Sequence, residues 1–297
     1  MTKQDPWLLT PGPLTTSKET KETMLHDWGS RDTSFINTNK QIRKDLIKII
    51  DGEKSHVCVP LQGSGTFVVE ATIGTLIPPT GKALVLINGA YGKRMVKILE
   101  YLGRDYSIIE TPEDTPPSLK DLDAQLSKDK RCSHVLAVHC ETTSGILNPL
   151  NEIGAIVSKH NRRLLVDAMS SFGDIPISTK NIQFDAVMAS SNKCLEGVPG
   201  LGFALIRKET LEACKGNSHS LSLDLYEQWI GMEANAQWRF TPPTHVIMAF
   251  KSAIDQFIRE GGSAARHSRY SENCKTLIKG MAEMGFKTLL PSKLQAP

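Results

Sequence analysis

The chain has no apolar run approaching the roughly 18 residues that cross a bilayer, no run of lysines and arginines, and no CxxC pair among its six cysteines. The first absence removes a membrane-spanning helix. The second leaves a formal charge of only +3 over 297 residues, which gives nucleic acid no footprint and keeps small anionic substrates compatible. The third removes the usual zinc and redox spacings, so no metal is expected and the cysteines, several of them within apolar strands, read as reduced thiols. Residues 1–7 carry neither the apolar core of a secretion signal nor an arginine-rich amphipathic pattern, and a soluble cytoplasmic protein is the expectation. The dinucleotide fingerprint and the Walker lysine are also missing, as are internal repeats and low-complexity segments.

What is present is an ordinary globular composition, 40% hydrophobic and 23% charged, with enough chain for one large core and a smaller unit. Pro6, Pro11 and Pro13 with Gly12 keep the first 16 residues extended, as an arm. A helix over 17–26 and a loop over 27–32 follow. The pattern then alternates: helix 41–50, strand 56–61, helix 66–77, strand 83–88, helix 93–102, strand 106–110, helix 119–126, strand 134–140, helix 152–160 and strand 164–167. Strands alternating with amphipathic helices predict an α/β fold with a mostly parallel sheet between helices. Strands over 184–189 and 201–206 complete it. Helix segments near 210–213 and 223–230 lead to a helix over 244–259, which Gly261-Gly262 stops and which ends a large domain of 17–260. A helix over 264–284 and a strand over 287–290 open a smaller α+β domain.

Three motifs carry the chemistry. Lys193 lies on the loop between two buried strands, where a partly dry lysine has its ammonium disfavoured and can form a Schiff base with a carbonyl; taken alone, it reads as a solvated loop lysine. Asp167 ends the strand 164–167, at the rim where α/β sheets bind ligands. Pyridoxal phosphate needs such a carboxylate against its ring nitrogen, though an ordinary strand-end acid also sits there. Ser64, Gly65 and Thr66 form a glycine turn between a strand and a helix, a geometry in which backbone N–H groups and the helix dipole hold a phosphate. Phosphate cradle, ring-nitrogen acid and lysine, in that order, make one joint signal. Arg31, between two acids, either faces an acidic substrate group or pairs locally.

The order and wording of these motifs resemble the fold-type I pyridoxal-phosphate enzymes, and among them the class V aminotransferases, over residues 8–297. The resemblance rests on Thr10-Pro11-Gly12-Pro13, Asn88-Gly89-Ala90-Tyr91-Gly92, Glu141-Thr142-Thr143-Ser144-Gly145 and Asp167-Ala168-Met169-Ser170-Ser171, with the phosphate turn and the Lys193 loop. Trp28-Gly29-Ser30-Arg31-Asp32 and Trp238-Arg239-Phe240-Thr241-Pro242-Pro243 look most like the branch that moves an amino group from 2-aminoethylphosphonate to pyruvate. The alternatives are alanine or serine with glyoxylate, or a noncatalytic cofactor-binding or interaction protein. A desulfurase stacks a histidine where this chain has Tyr91.

The resemblance implies a seven-stranded-type sheet and Tyr91 flat on the cofactor. It implies Thr142 beside the cofactor's phenolic oxygen, and Ser190 and Asn192 near its phosphate. Gly12 would bring a backbone N–H to a substrate oxyanion, unless it is a turn without a ligand. Thr241 would donate to the phosphate of a neighbouring copy, making a homodimer with shared sites, unless its turn is local. Family members continue past the position of Pro297 into a stretch bearing the arginine that grips the substrate anion. The expectation from this is an incomplete small domain and weakened transamination.

Overall fold

The computed structural model describes residues 5–297, so the part of the expected arm that is 1–4 lies outside the described residues. Helix α1 (Lys18–Glu22) opens where the Ser17 hydroxyl accepts the Thr20 N–H at 3.0 Å. One 3₁₀ turn, Thr23–Leu25, completes the stretch expected as a single helix. α2 (Thr33–Ile49) starts well before position 41. The added turns contain Asn37, Thr38 and Asn39, poor helix formers on their own. Packing overrides that: Phe35 is buried, and buried Asn39 accepts a hydrogen bond from Trp238 Nε1 at 3.2 Å.

The alternation follows as β1 (His56–Gln62), α3 (Gly65–Leu76), β2 (Lys82–Ile87), α4 (Ala90–Tyr101), β3 (Asp105–Glu110), α5 (Leu119–Lys128) and β4 (Cys132–Val138). A hairpin of β5 (Cys140–Glu141) and β6 (Ile146–Leu147) stands beyond the tip of β4. Then come α6 (Leu150–Lys159), β7 (Arg163–Asp167), β8 (Ala186–Ser190), β9 (Leu201–Arg207), α7 (Lys208–Glu212), α8 (Leu225–Asn235), α9 (Thr244–Glu260) and α10 (Gly262–Glu283).

The seven long strands lie in the order β1-β9-β8-β7-β4-β2-β3. β9 runs antiparallel to both β1 and β8, and every other pair is parallel. Two reversals restore direction, so the C-terminal ends of β1, β2, β4, β7 and β8 reach one rim. All but the edge strand β3 bury both faces. Leu84 and Leu86 point to a core shared with α2, α6 and α9, whereas Val85 and Ile87 point to one shared with α3 and α4. Burying each such aliphatic side chain contributes roughly 1.5–3 kcal/mol.

α9 and α10 meet at Gly261 (φ 114°) and Gly262 (φ 70°), two consecutive left-handed residues that only glycine adopts freely. No strand forms over 287–290. Leu290 is buried there, and the following residues return to the hairpin, where Leu147 N–H donates to the Leu294 carbonyl and Ala296 N–H to that of Gly145, at 2.8 and 2.9 Å. The available partner was the β5–β6 hairpin, which takes up 294–296 instead.

Candidate active site

Where the five strand ends converge, a cavity of about 170 Å³ is lined by Ser64, Thr66, Tyr91, Asp167, Ser190 and Lys193. Lys193 belongs to the β8–β9 connection, which is tied to itself. Glu196 N–H donates to the Lys193 carbonyl at 2.8 Å, and the buried Ser191 hydroxyl donates to the Val198 carbonyl at 2.6 Å. The Lys193 ammonium donates to the Gly12 carbonyl at 3.1 Å, and burial holds its pKa below that of an ordinary lysine. Gly12 has φ +143°, and a Cβ there would come within 2.5 Å of Lys193 Cδ. Glycine is therefore what lets the arm lie on the lysine.

Asp167 ends β7 and is only 3% exposed. Its Oδ1 accepts the Met169 N–H at 2.9 Å. Burial pushes its carboxyl up to about 6, and the Glu141 charge pushes the same way against the opposing pull of Arg94 and Lys193. Glu141 is itself wholly buried. Its Oε1 accepts from the Thr143 hydroxyl at 2.8 Å, while Oε2 has no partner among the described residues.

The phosphate turn opens α3 with bare donors. The Ser64 side chain does not cap the helix, and the N–H groups of Gly65 and Thr66 have no partner among the described residues. These are the positions at which a helix end attracts an anion. Tyr91 stands in the first turn of α4, with the Arg94 guanidinium 4.6 Å from its ring centre. Arg94 also donates to Thr66 Oγ1 at 3.1 Å, so a cation adjoins the turn.

The structure thus gathers Ser64, Gly65, Thr66, Tyr91, Asp167, Ser190, Asn192 and Lys193 around one cavity and lays Gly12 against it. Thr142 borders an adjoining, wider cleft of about 1220 Å³ between the arm and the lysine loop, its hydroxyl 2.5 Å from that of Ser170. Arg31 and Thr241 are not brought in; both are exposed, one just before α2 and the other in the turn before α9. Nor does Asp27 serve as a local partner for Arg31, since its carboxylate faces His245 at 3.6 Å. Arg94 was missed from sequence, although its spacing of three from Tyr91 puts both on one helical face. Glu141 was read only as part of a motif.

The architecture is that of the fold-type I pyridoxal-phosphate transferases. Alanine–glyoxylate aminotransferase from Nostoc sp. superposes with TM-score 0.90 at 23% identity, covering 100% of this chain and 80% of that one. Pyridoxamine–pyruvate aminotransferase from Mesorhizobium loti gives 0.88 at 25% identity, covering 99% and 76%. The family model for aminotransferase class-V matches residues 17–296, and the chain belongs to that family. Among its relatives, a 2-aminoethylphosphonate–pyruvate transaminase of Pseudomonas putida is 55% identical over 98% of this chain and 79% of its own length. One of the same description from Pseudomonas aeruginosa is 54% identical over the same shares.

Class-V aminotransferases work with pyridoxal phosphate, and the cavity fits that group on its own terms. The desolvated Asp167 carboxylate calls for a cation such as a protonated ring nitrogen, the uncapped α3 end calls for an anion, and Lys193 offers a depressed amine between them.

Proposed function

We propose that the chain is a transaminase that takes the amino group of 2-aminoethylphosphonate and gives it to pyruvate. The observation that carries this reading is the 55% identity, over 292 residues, with relatives so described. Pyridoxal phosphate supplies, when bound, an aldehyde carbon that exchanges amines and a ring that draws electrons away from the carbon beside the amine.

The chain's residues would divide the work as follows. Lys193 Nζ, whose pKa burial lowers, would hold the cofactor's aldehyde carbon and, once freed by a donor amine, would serve as the base for the proton on the donor carbon beside that amine. Asp167 would pair with the cofactor's ring nitrogen and favour its protonated form. The N–H groups of Gly65 and Thr66 with the Ser64 hydroxyl hold the phosphate, with Ser190 and Asn192 alongside. Tyr91 covers one ring face, and Thr142 hydrogen-bonds near the phenolic oxygen. Gly12 would fix the arm over the lysine, and we assign to it a contact with the substrate; the exposed Arg31 stands outside the cavity and takes no such role.

The exposure of Thr241 next to exposed Phe240 supports a homodimer in which Thr241 reaches the partner's phosphate. Six unpaired cysteines favour the cytoplasm. Residues 17–260 would form the cofactor-binding unit, and 261–297 a second, smaller unit. The test is direct: Lys193→Ala should leave no borohydride-fixed cofactor, and persistent fixing would remove Lys193 from the role. Alanine formed from pyruvate with 2-aminoethylphosphonate as donor supports the substrates named; formation of glycine from glyoxylate with alanine or serine instead would overturn them.

A further inference from the structure

Behind the lysine loop lies a cluster of charged side chains that the reaction itself does not call on. Arg266, in the second turn of α10, is 1% exposed and donates to the carbonyl of Cys194, the residue directly after Lys193. Its Nε donates to Glu260 Oε2 at 2.8 Å, and its Nη1 lies 3.6 Å from Glu196 Oε1. Arg269 donates to the same Glu196 oxygen at 3.0 Å and to Glu260 Oε1 at 2.7 Å, and the Tyr270 hydroxyl donates to Glu196 Oε1 at 2.7 Å. Two donors from one helix therefore converge on one carboxylate oxygen, with the Arg266 cation 3.6 Å away. Glu260 responds as expected, its carboxyl drawn down to about 2 with Arg269 the chief cause.

Glu196 is an odd residue to hold so firmly. It is not glycine, yet it has φ +57°, and its N–H closes the turn on the Lys193 carbonyl at 2.8 Å. A side chain in the left-handed region persists only where its surroundings over-determine it. Here the surroundings are Arg266, Arg269 and Tyr270. The Cys194 carbonyl and the Glu196 carboxylate are both gripped, within three residues on the C-terminal side of Lys193.

We propose that Arg266, Arg269 and Tyr270 form a clasp on Cys194 and Glu196 that sets the position of Lys193 Nζ for its reaction, so that α10 supplies positioning residues for a lysine it does not touch. This rests on the reading of Lys193 as the cofactor anchor. The clasp gains accuracy from two features. Arg266 is planar and too deeply buried to trade its partners for water, and the left-handed Glu196 backbone closes its turn directly on the Lys193 carbonyl.

The test compares Glu196→Gln, which keeps shape and removes charge, with Tyr270→Phe, which removes one donor and should leave the fold intact. As a control, Arg259→Ala breaks the Arg259–Glu19 pair, 2.7 Å long, that joins α9 to α1 away from the loop. Glu196→Gln should lower kcat and the rate of borohydride-fixed cofactor uptake by the cofactor-free protein about 10-fold, and Tyr270→Phe about 3-fold, with KM for the amine unchanged. Arg269→Lys, which keeps a cation, should recover part of the rate relative to Arg269→Met. Arg259→Ala should lower the thermal midpoint and leave kcat alone. If Tyr270→Phe and Glu196→Gln lose midpoint but keep both rates within twofold, the cluster is only a staple and the proposal fails. If the unaltered protein fixes no cofactor on Lys193, the functional reading falls, and this inference with it.

Discussion

Arg266 and Asp167 are almost equally buried, at 1% and 3% exposure, and both flank the Lys193 loop, yet their charges are treated in opposite ways. Arg266 is surrounded by Glu196, Glu260 and the Cys194 carbonyl, a fully partnered cation. Asp167 has one backbone N–H, a distant cation or two, and another acid, Glu141, close enough to push its carboxyl up further. The partnered group is part of the folded state's stability. The unpartnered one is a cost that the folded state carries until a ligand with complementary charge arrives. A buried ionisable group without a partner is in this sense a statement about what is to be bound.

That contrast can be broken at the partnered end first. Arg266→Met keeps volume but leaves Glu260 and Glu196 facing a hydrophobic side chain, and should destabilise the protein by about 3–5 kcal/mol, seen as a lower urea midpoint. A double variant, Arg266→Met with Glu260→Gln, should recover part of that loss. If the single variant costs nothing, Arg266 is not held as described.

Asp167→Asn should do the reverse in the cofactor-free protein. With the folded carboxyl raised from 3.8 to about 6, the acid's protonated form is favoured by folding, so stability is intact below pH 3.8 and is lost as pH rises through about 6. The amide removes that loss, and should stabilise the empty protein by about 3 kcal/mol at pH 8 and hardly at all at pH 4. The same substitution should weaken cofactor retention and slow proton removal from the donor. Denaturation at the two pH values with and without pyridoxal phosphate reads all of it; equal effects at both pH values would show that Asp167 is not perturbed by burial.

The smallest test sharpens the contrast between two helix ends. Ser118 caps α5 by accepting the Asp121 N–H at 3.2 Å, whereas Ser64 leaves α3 bare. Ser118→Ala should cost about 1 kcal/mol of stability, and Ser64→Ala close to none while raising the Kd for pyridoxal phosphate. A stability loss at Ser64 equal to that at Ser118 would mean that α3 is capped after all.

Much of this was legible in the chain because its signals are local. The strand alternation survives almost residue for residue, since parallel strands buried on both faces must be continuously apolar. The placement of Lys193 and Asp167 at the rim was legible because one lies three residues past a buried strand and the other ends one. What escaped was set by distant contacts. The first turns of α2 depend on Trp238 and on a buried Asn39, which no local propensity rewards. The clasp joins residues 72 apart in sequence, Cys194 and Arg266, and an arginine in a polar helix reads as surface until its partners are placed. The expected strand over 287–290 failed because a strand needs a neighbour, and the hairpin β5–β6 engaged later residues.

The joint at Gly261–Gly262 has a mechanical meaning. α10 is 22 residues long, about 33 Å, and the clasp grips it some 6–12 Å from that joint. It is a lever with the load set close to the fulcrum: a sideways displacement of about 3 Å at Glu283 arrives at Tyr270 as about 1 Å if the helix stays straight, a demultiplication of roughly threefold. Any sideways movement at the far end of α10 would thereby reach the clasp scaled down toward the size at which a reacting nitrogen is placed.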